Sequence, residues 1–213
     1  MWAMPVFGGG KGQAPKWCEL EYFEILRLTG KVYRRFEPMS PSEKIVIGRG
    51  ECSIACTDRT VIAKEGGTIG LGSENGDFKV EALSDAILVR MCGRWGEVTG
   101  GSGIFAVEMS GDPHDVGDPV DYQKSTNFDS HYHDCDEYWI LFDGRGTAVS
   151  EGKLYDVGPG DCIATGMGHH HDFPRAYEPV RAVYFETTLE GQKRLGHLWE
   201  YTHGPARPKK DRI

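Results

Sequence analysis

His131 and His133 stand two residues apart, and Glu137 follows four positions after the second. Further along, His169, His170 and His171 form an unbroken run. Imidazole nitrogens and a carboxylate are side-chain donors suited to divalent transition metals. Side chains of a strand alternate between its faces, so His131, His133 and Glu137 project to one side. Trp139 and Leu141 continue that face, as a barrel interior requires. A fourth donor then comes from an adjacent strand. His171 and His169 are the candidates, and the spacing favours His171. All eight histidines lie beyond Pro113, so a histidine-based site belongs to the second half of the chain. A lone His-x-His pair is often polar surface and a histidine run is often solvated; the case rests on the two segments together.

Three neutral imidazoles and one carboxylate leave a bound divalent ion with about one net positive charge, which makes it a Lewis acid. The donor set suits Mn, Fe, Co, Ni, Cu or Zn without selecting among them. An ion of higher coordination number keeps open positions for water, a substrate oxygen or O2, whereas a closed tetrahedral zinc site is the structural alternative. Tyr184 and Glu186, two apart on the last strand-like run, share a face. Turned inward they can donate or accept protons beside the ion; turned outward they are surface residues of an edge strand. Trp139 reads as barrel packing that can also floor a cavity. Cys135 reads as a small packed residue. Of His169 and His170, one reads as a support for the ligand and the other as solvent-facing. His114, His197 and His203 read as ordinary polar residues. The run Gly100-Gly101-Ser102-Gly103 lacks the lysine and following helix of a phosphate-binding loop and reads as a turn.

The elements that must position these side chains are short strands. The chain's 29 glycines and 11 prolines are scattered between short apolar runs, the pattern of many strands joined by tight turns. Ile45-Val46-Ile47, Ser53-Ile54-Ala55, Thr60-Val61-Ile62, Phe78-Lys79-Val80 and Ala86-Ile87-Leu88-Val89 are β-prone, with turn chemistry between them. Residues 17–28 are a strand or a short helix, which periodicity does not settle. Residues 131–142 read as one strand, and Gly158-Pro159-Gly160-Asp161 has the residue order of a type II turn. Residues 110–130 form a polar stretch too long for a hairpin loop. The two halves align loosely as an internal repeat, with residues 65–69 in the place of 158–162.

A length of 213 residues allows one large or two small domains and a sizeable core. The net charge of −8 comes without a basic face, which argues against a nucleic-acid partner. Arg207, Lys209, Lys210 and Arg212 form a basic cluster in a Pro-containing tail. No apolar run reaches the roughly 18 residues of a membrane span, and residues 1–12 lack the features of a signal peptide. The six cysteines, at 18, 52, 56, 92, 135 and 162, form no CxxC pair. They read as reduced thiols in a cytoplasmic protein.

The segment from His131 to Glu137, with Gly144 seven residues later, resembles the first signature of the cupin family: histidine, any residue, histidine, then a glutamate and a glycine. Gly160, Gly166, Gly168 and His171 follow the spacing of the second signature. Three positions depart from it: Gly166 stands for the family's proline, Ser125 for a glycine ahead of the first histidine, and Arg175 for an asparagine after the last. The departures loosen loop geometry and remove no ligand. The resemblance covers residues 100–190 well and residues 30–95 only through strand rhythm.

The resemblance implies an all-β chain of two jelly-roll barrels, a bicupin. The expected division is a degenerate barrel without histidine ligands at 17–99, a metal-binding barrel at 100–203 and a flexible tail at 204–213. One enlarged barrel with an N-terminal extension is the alternative. The resemblance also implies one divalent transition metal ion on His131, His133, Glu137 and His171. The expected function is an enzyme acting on a small polar substrate, a sugar or sugar acid, by isomerisation, epimerisation or elimination through a metal-chelated enediolate. An Fe(II)-type dioxygenase and a non-catalytic ligand-binding cupin are the alternatives. Sheet edges of such barrels often pair, which makes a homodimer an expectation.

Overall fold

The computed structural model describes residues 6–72, 76–110, 117–187 and 196–210. His114 lies outside the described residues. The first half runs β1 (Val6–Gly8), β2 (Leu20–Leu28), β3 (Tyr33–Phe36), β4 (Ser42–Arg49), β5 (Glu51–Ala55), β6 (Thr60–Lys64), β7 (Thr68–Gly72), β8 (Phe78–Ala82) and β9 (Ala86–Gly93). The second half runs β10 (Ser102–Val107), β11 (Asp136–Asp143), β12 (Gly146–Ser150), β13 (Lys153–Val157), β14 (Asp161–Thr165), β15 (His171–Ala176) and β16 (Val180–Thr187). One short helix, α1 (Glu200–His203), follows. The chain is all-β, as its turn-rich sequence requires.

Among the described residues, four sheets stack around three cores. The sheet β3-β8-β5-β6 faces β2-β9-β4-β7 across a core that includes Ile45, Ile47, Ile54 and Leu88. The second of these sheets faces β1-β14-β11-β16-β10 across a core shared by both halves, with Val46, Val89, Tyr138, Ile140 and Phe185. The last sheet, β13-β12-β15, closes over Trp139, Leu141 and Phe173. The two inner sheets are therefore covered on both faces. That is why Ala86–Val89 of β9 and Tyr138–Phe142 of β11 read as continuous apolar runs with no polar alternation. It also resolves residues 17–28 as a strand. Leu20, Phe23, Leu26 and Leu28 are buried in β2, divided between two cores, and a bulge between Leu20 and Tyr22 breaks the two-residue period.

The halves are related by a fixed offset in register. Ile45 pairs with Arg90 and Ile69, just as Trp139 pairs with Tyr184 and Ile163. Both β4 and β11 carry a bulge at the same place, before Arg49 and Asp143. Ile69 thus corresponds to Ile163, one residue away from the pairing expected from turn composition. Arg49 bonds its own counterpart, Asp143, at 2.8 Å across 94 positions. A Cβ at Gly48 would lie 3.0 Å from the ring of its counterpart, Phe142. Equivalent positions that meet each other are the mark of a two-fold relation.

The same register shows what the first half holds in place of a histidine cluster. Glu43 corresponds to Glu137 and Arg90 to Tyr184. Phe78, one before Lys79, stands where His171 stands before Asp172. The buried Arg90 guanidinium bonds both oxygens of buried Glu43, at 2.9 and 3.0 Å, and the Glu37 carbonyl at 2.8 Å. It lies over the rings of Phe36 and Phe78. An internal cation fills the carboxylate's site. Replacing Arg90 by Met strands the Glu43 charge, and the expected loss is about 3–5 kcal/mol in urea unfolding. Adding Glu43→Leu to that variant should recover most of it; a single variant as stable as the parent contradicts the assignment.

All six cysteines are free. Burial pushes Cys52 up to about 11 and Cys92 up to about 12, so both thiols are protonated and unreactive near neutrality. No helix among the described residues is long and apolar enough to cross a membrane.

Candidate metal centre

Strand β11 begins at Asp136, so residues 131–135 are not the first part of one long strand. They form a loop that bridges at His131 and Tyr132 and bends at Asp134 and Cys135. His131 makes an isolated antiparallel bridge to His171, with backbone bonds of 2.9 and 3.2 Å in both directions. The fourth donor therefore comes from the opposing sheet, whose β15 starts at His171. Two sheets converge at this end of the second half. One ring nitrogen each from His131, His133 and His171 and one oxygen of Glu137 lie within 4.8 Å of one another. None of the four residues is more than 5 % exposed. His169 is not in the cluster.

The backbone orients the rings. His131 donates from Nδ1 to the Asp129 carbonyl at 2.9 Å, and His171 donates from Nδ1 to the His169 carbonyl at 3.2 Å. Both are thereby left with Nε2 facing the centre. His133 turns Nδ1 toward Glu186, 3.6 Å from Oε1, and Nε2 toward Glu137, at 3.4 Å. His171 Nε2 is 2.8 Å from Glu137 Oε2, yet neither atom has a hydrogen bond of acceptable geometry, nor does either nitrogen of His133. Buried polar atoms left this way are costly. One proton shared by His171 and Glu137 would satisfy that pair alone and leave His133 stranded. A divalent cation among the four satisfies them together, and the donor set of three imidazoles and a carboxylate fits one.

Burial lowers the pKa of His131 and His133, and the neighbouring imidazoles add to the effect. Burial alone would raise that of Glu137, but the surrounding histidines outweigh it and hold the carboxyl well below its usual range. The neutral imidazoles and ionised carboxylate that a metal requires are thus the forms this site favours.

A cavity of about 220 Å³ opens beside the cluster, lined by Phe105, Phe128, His131, Glu137, Trp139, Tyr184, Glu186 and His197. Tyr184 and Glu186 face inward, and Glu186 is 1 % exposed. Its Oε2 accepts from the Gly101 N–H at 2.5 Å. A Cβ on Gly100 would lie 2.4 Å from that oxygen, and one on Gly103 would lie 3.0 Å from the Tyr184 ring. The glycine run read as a turn thus clears the space in which both side chains lie. Trp139 packs between Phe105, Phe128 and His171, with ring centroids 5.0–5.3 Å away, so it both fills the barrel and walls the cavity. Cys135 is buried near His133 and Glu186.

His197, read as ordinary surface, stacks on His131 with centroids 3.9 Å apart and planes 9° from parallel. Its Nδ1 lies 3.4 Å from Asp129 Oδ2, which also accepts from Trp199 Nε1 at 3.0 Å. Burial would raise Asp129, but hydrogen bonds from His131 and His197 outweigh it and hold the carboxyl well below its usual range. The segment carrying His197 is tied down by the Tyr132–Leu198 bridge, by Asp118 accepting from Glu200 N and by Lys209 N donating to the Met167 carbonyl. No spacing in the sequence links His197 to the four clustered residues. His170 bonds Asp118 at 2.8 Å, and His203 lies in α1. Two of the signature glycines have steric roles: at Gly144 a Cβ would strike the Pro179 carbonyl, and at Gly168 the Arg207 carbonyl.

No family model matches the chain. It is 43% identical over 211 residues to the uncharacterized protein y4oW of Sinorhizobium fredii, covering 99% of this chain and 97% of that one. In structure it is similar to an iolb-like protein of Salmonella typhimurium, with TM-score 0.52, 15% identity and 85% and 88% of the two chains covered. It is also similar to vicilin of Corylus avellana, with TM-score 0.62, 7% identity and 89% and 81% covered. Oxalate decarboxylase of Bacillus subtilis, described with Mn(II) centres, aligns with TM-score 0.51 at 11% identity over 81% and 70%. These similarities show an all-β cupin fold. The fold hosts metal-dependent enzymes, and this chain has a His/Glu cluster that can hold a metal.

Proposed function

We propose, for a chain that belongs to the same family as the Sinorhizobium fredii protein y4oW and has a cupin fold, that it is a metal-dependent enzyme acting on a small polar substrate. In this reading the chain is a bicupin. The first barrel is a packing partner closed by Arg90, and the second holds one divalent transition metal ion on His131, His133, Glu137 and His171. The repeated register and the shared core between the halves support the division. A cation held there supplies Lewis acidity toward a substrate oxygen.

The observation that carries the enzymatic reading is Glu186. A carboxylate sunk beside four converging donors, fixed at one oxygen by Gly101 and lining a cavity, is placed to accept and return a proton. Tyr184, two residues before it on β16, lines the same cavity and carries a hydroxyl. The aromatic walls exclude water and give the apolar face of a small carbohydrate a surface to lie on. Proton transfer next to a hydroxyl-bearing carbon, as in isomerisation or epimerisation of a sugar or sugar acid, fits these parts.

The test is solvent exchange. The metal-loaded protein is incubated in D2O with a panel of aldoses, ketoses and their acids, and deuterium at carbon is followed by NMR. Exchange is expected with at least one substrate. Glu186→Gln, assayed at saturating metal, should slow it by about 10²–10⁴-fold. Oxygen uptake by the iron-loaded protein, with no exchange on any sugar, would instead assign dioxygenase chemistry.

A further inference from the structure

The inner sheet of the second half has five strands where its first-half counterpart has four. The extra strand is β1, which pairs antiparallel with the outer edge of β14 through Val6–Ile163, Phe7–Cys162 and Gly8–Asp161. By the register established above, β14 corresponds to β7. Among the described residues no strand covers the outer edge of β7. Its sequence, Thr68-Ile69-Gly70-Leu71-Gly72, has neither a charge nor a proline, the usual guards of an open edge.

The direction of its backbone groups follows from the contacts. Arg59 donates to the Gly70 carbonyl at 3.3 Å. Successive residues of an edge strand turn their N–H and C=O alternately toward and away from the paired neighbour. Gly70, and Thr68 two before it, therefore present both groups outward, and both residues are exposed. A Cβ at Gly70 would meet nothing within 4 Å, so another backbone can approach closely. An open cleft of about 890 Å³ adjoins this edge, with Lys44, Asp58, Arg59, Leu71, Trp95 and Glu97 among its walls.

We propose that the outer edge of β7 is the docking edge for a second copy of this chain, two β7 strands pairing antiparallel about a two-fold axis near Gly70. A strand that pairs antiparallel with its own copy closes the assembly at two. The charges favour that occupant. A lining of one sign selects an opposite partner, whereas this cleft carries both signs: apart from Glu43, which Arg90 neutralises, Lys44 and Arg59 stand with Asp58 and Glu97, so a copy of the same edge brings opposite charges to it. The fold already uses this mode once, where β1 completes the equivalent edge of β14. The proposal is independent of the metal and the reaction.

Sedimentation velocity on the full chain tests it. A dimer is expected at micromolar concentration. Gly70→Pro should give a monomer with unchanged circular dichroism, because it removes an outward N–H and no bond to β4. Should that variant fail to fold, Arg59→Glu serves: it should raise the dimer dissociation constant by at least ~10-fold, and adding Asp58→Lys should restore it. A parent that stays monomeric up to about 100 μM, far above typical specific affinities, overturns the proposal. So does a dimer that neither Gly70→Pro nor Arg59→Glu weakens.

Discussion

His133→Ala is expected to lose most of the bound metal and to leave the metal-free fold intact. His133 contributes Nε2 to the cluster from a ring that is 2 % exposed, and neither ring nitrogen has a hydrogen bond. Removing even an outer partner of a metal ligand typically weakens affinity by about 10–100-fold. Removing the ligand itself should therefore exceed ~100-fold. The metal-free protein responds differently. There the imidazole is a buried polar group without partners, so its loss relieves a desolvation cost that offsets the cavity left behind. Metal content by elemental analysis and melting temperatures with and without chelator measure both effects. A variant that keeps its metal, or one that melts far below the metal-free parent, contradicts the assignment of His133.

Acid is expected to release the ion and to destabilise the metal-stripped protein. Burial, chiefly, holds His131 and His133 below the ordinary imidazole value of about 6.5. Each therefore takes up a proton on unfolding, and stability falls as pH drops below about 6.5 and keeps falling until the folded pKa is passed. The slope is up to about 1.4 kcal/mol per pH unit for each histidine. Glu137 acts in the same direction at lower pH. Its folded pKa is depressed below the ordinary carboxyl value of about 4.5, so the stability it contributes is present above that value and is lost as pH falls further. Metal binding steepens the dependence because protons compete for the same nitrogens. Urea unfolding of the stripped protein between pH 7 and 5 should show the slope, and His133→Ala should reduce it. A flat profile would show that these histidines are neither buried nor neutral.

Much of the site was legible in the sequence, because metal ligation demands particular side chains at narrow spacings. His131, His133, Glu137 and His171 could be named, and the structure brings all four together. Tyr184 and Glu186 could be named as a pair but not oriented, because alternation says that two residues share a face and not which core that face meets. The structure turns both inward. The strand boundary was misplaced because residues 131–135 make only isolated bridges and then bend before β11 begins. His197 could not be found, because its place on His131 is set by tertiary contacts of Asp129, Tyr132 and Asp118. The first half was legible only as rhythm. Its carboxylate is matched by a guanidinium far along the chain, and Glu43 with Arg90 carries no short-range signature. Residues 17–28 were ambiguous for a related reason: a bulged strand between two cores loses the alternation that identifies strands.

The most direct test of the account is anomalous X-ray scattering from crystals of the protein as purified, at the absorption edge of whichever transition metal elemental analysis finds. The account predicts a single strong peak per chain, enclosed by Nε2 of His131, His133 and His171 and a carboxylate oxygen of Glu137, with none beside Glu43 and Arg90. Metal bound elsewhere in the chain, with these four side chains turned away from it, would contradict it.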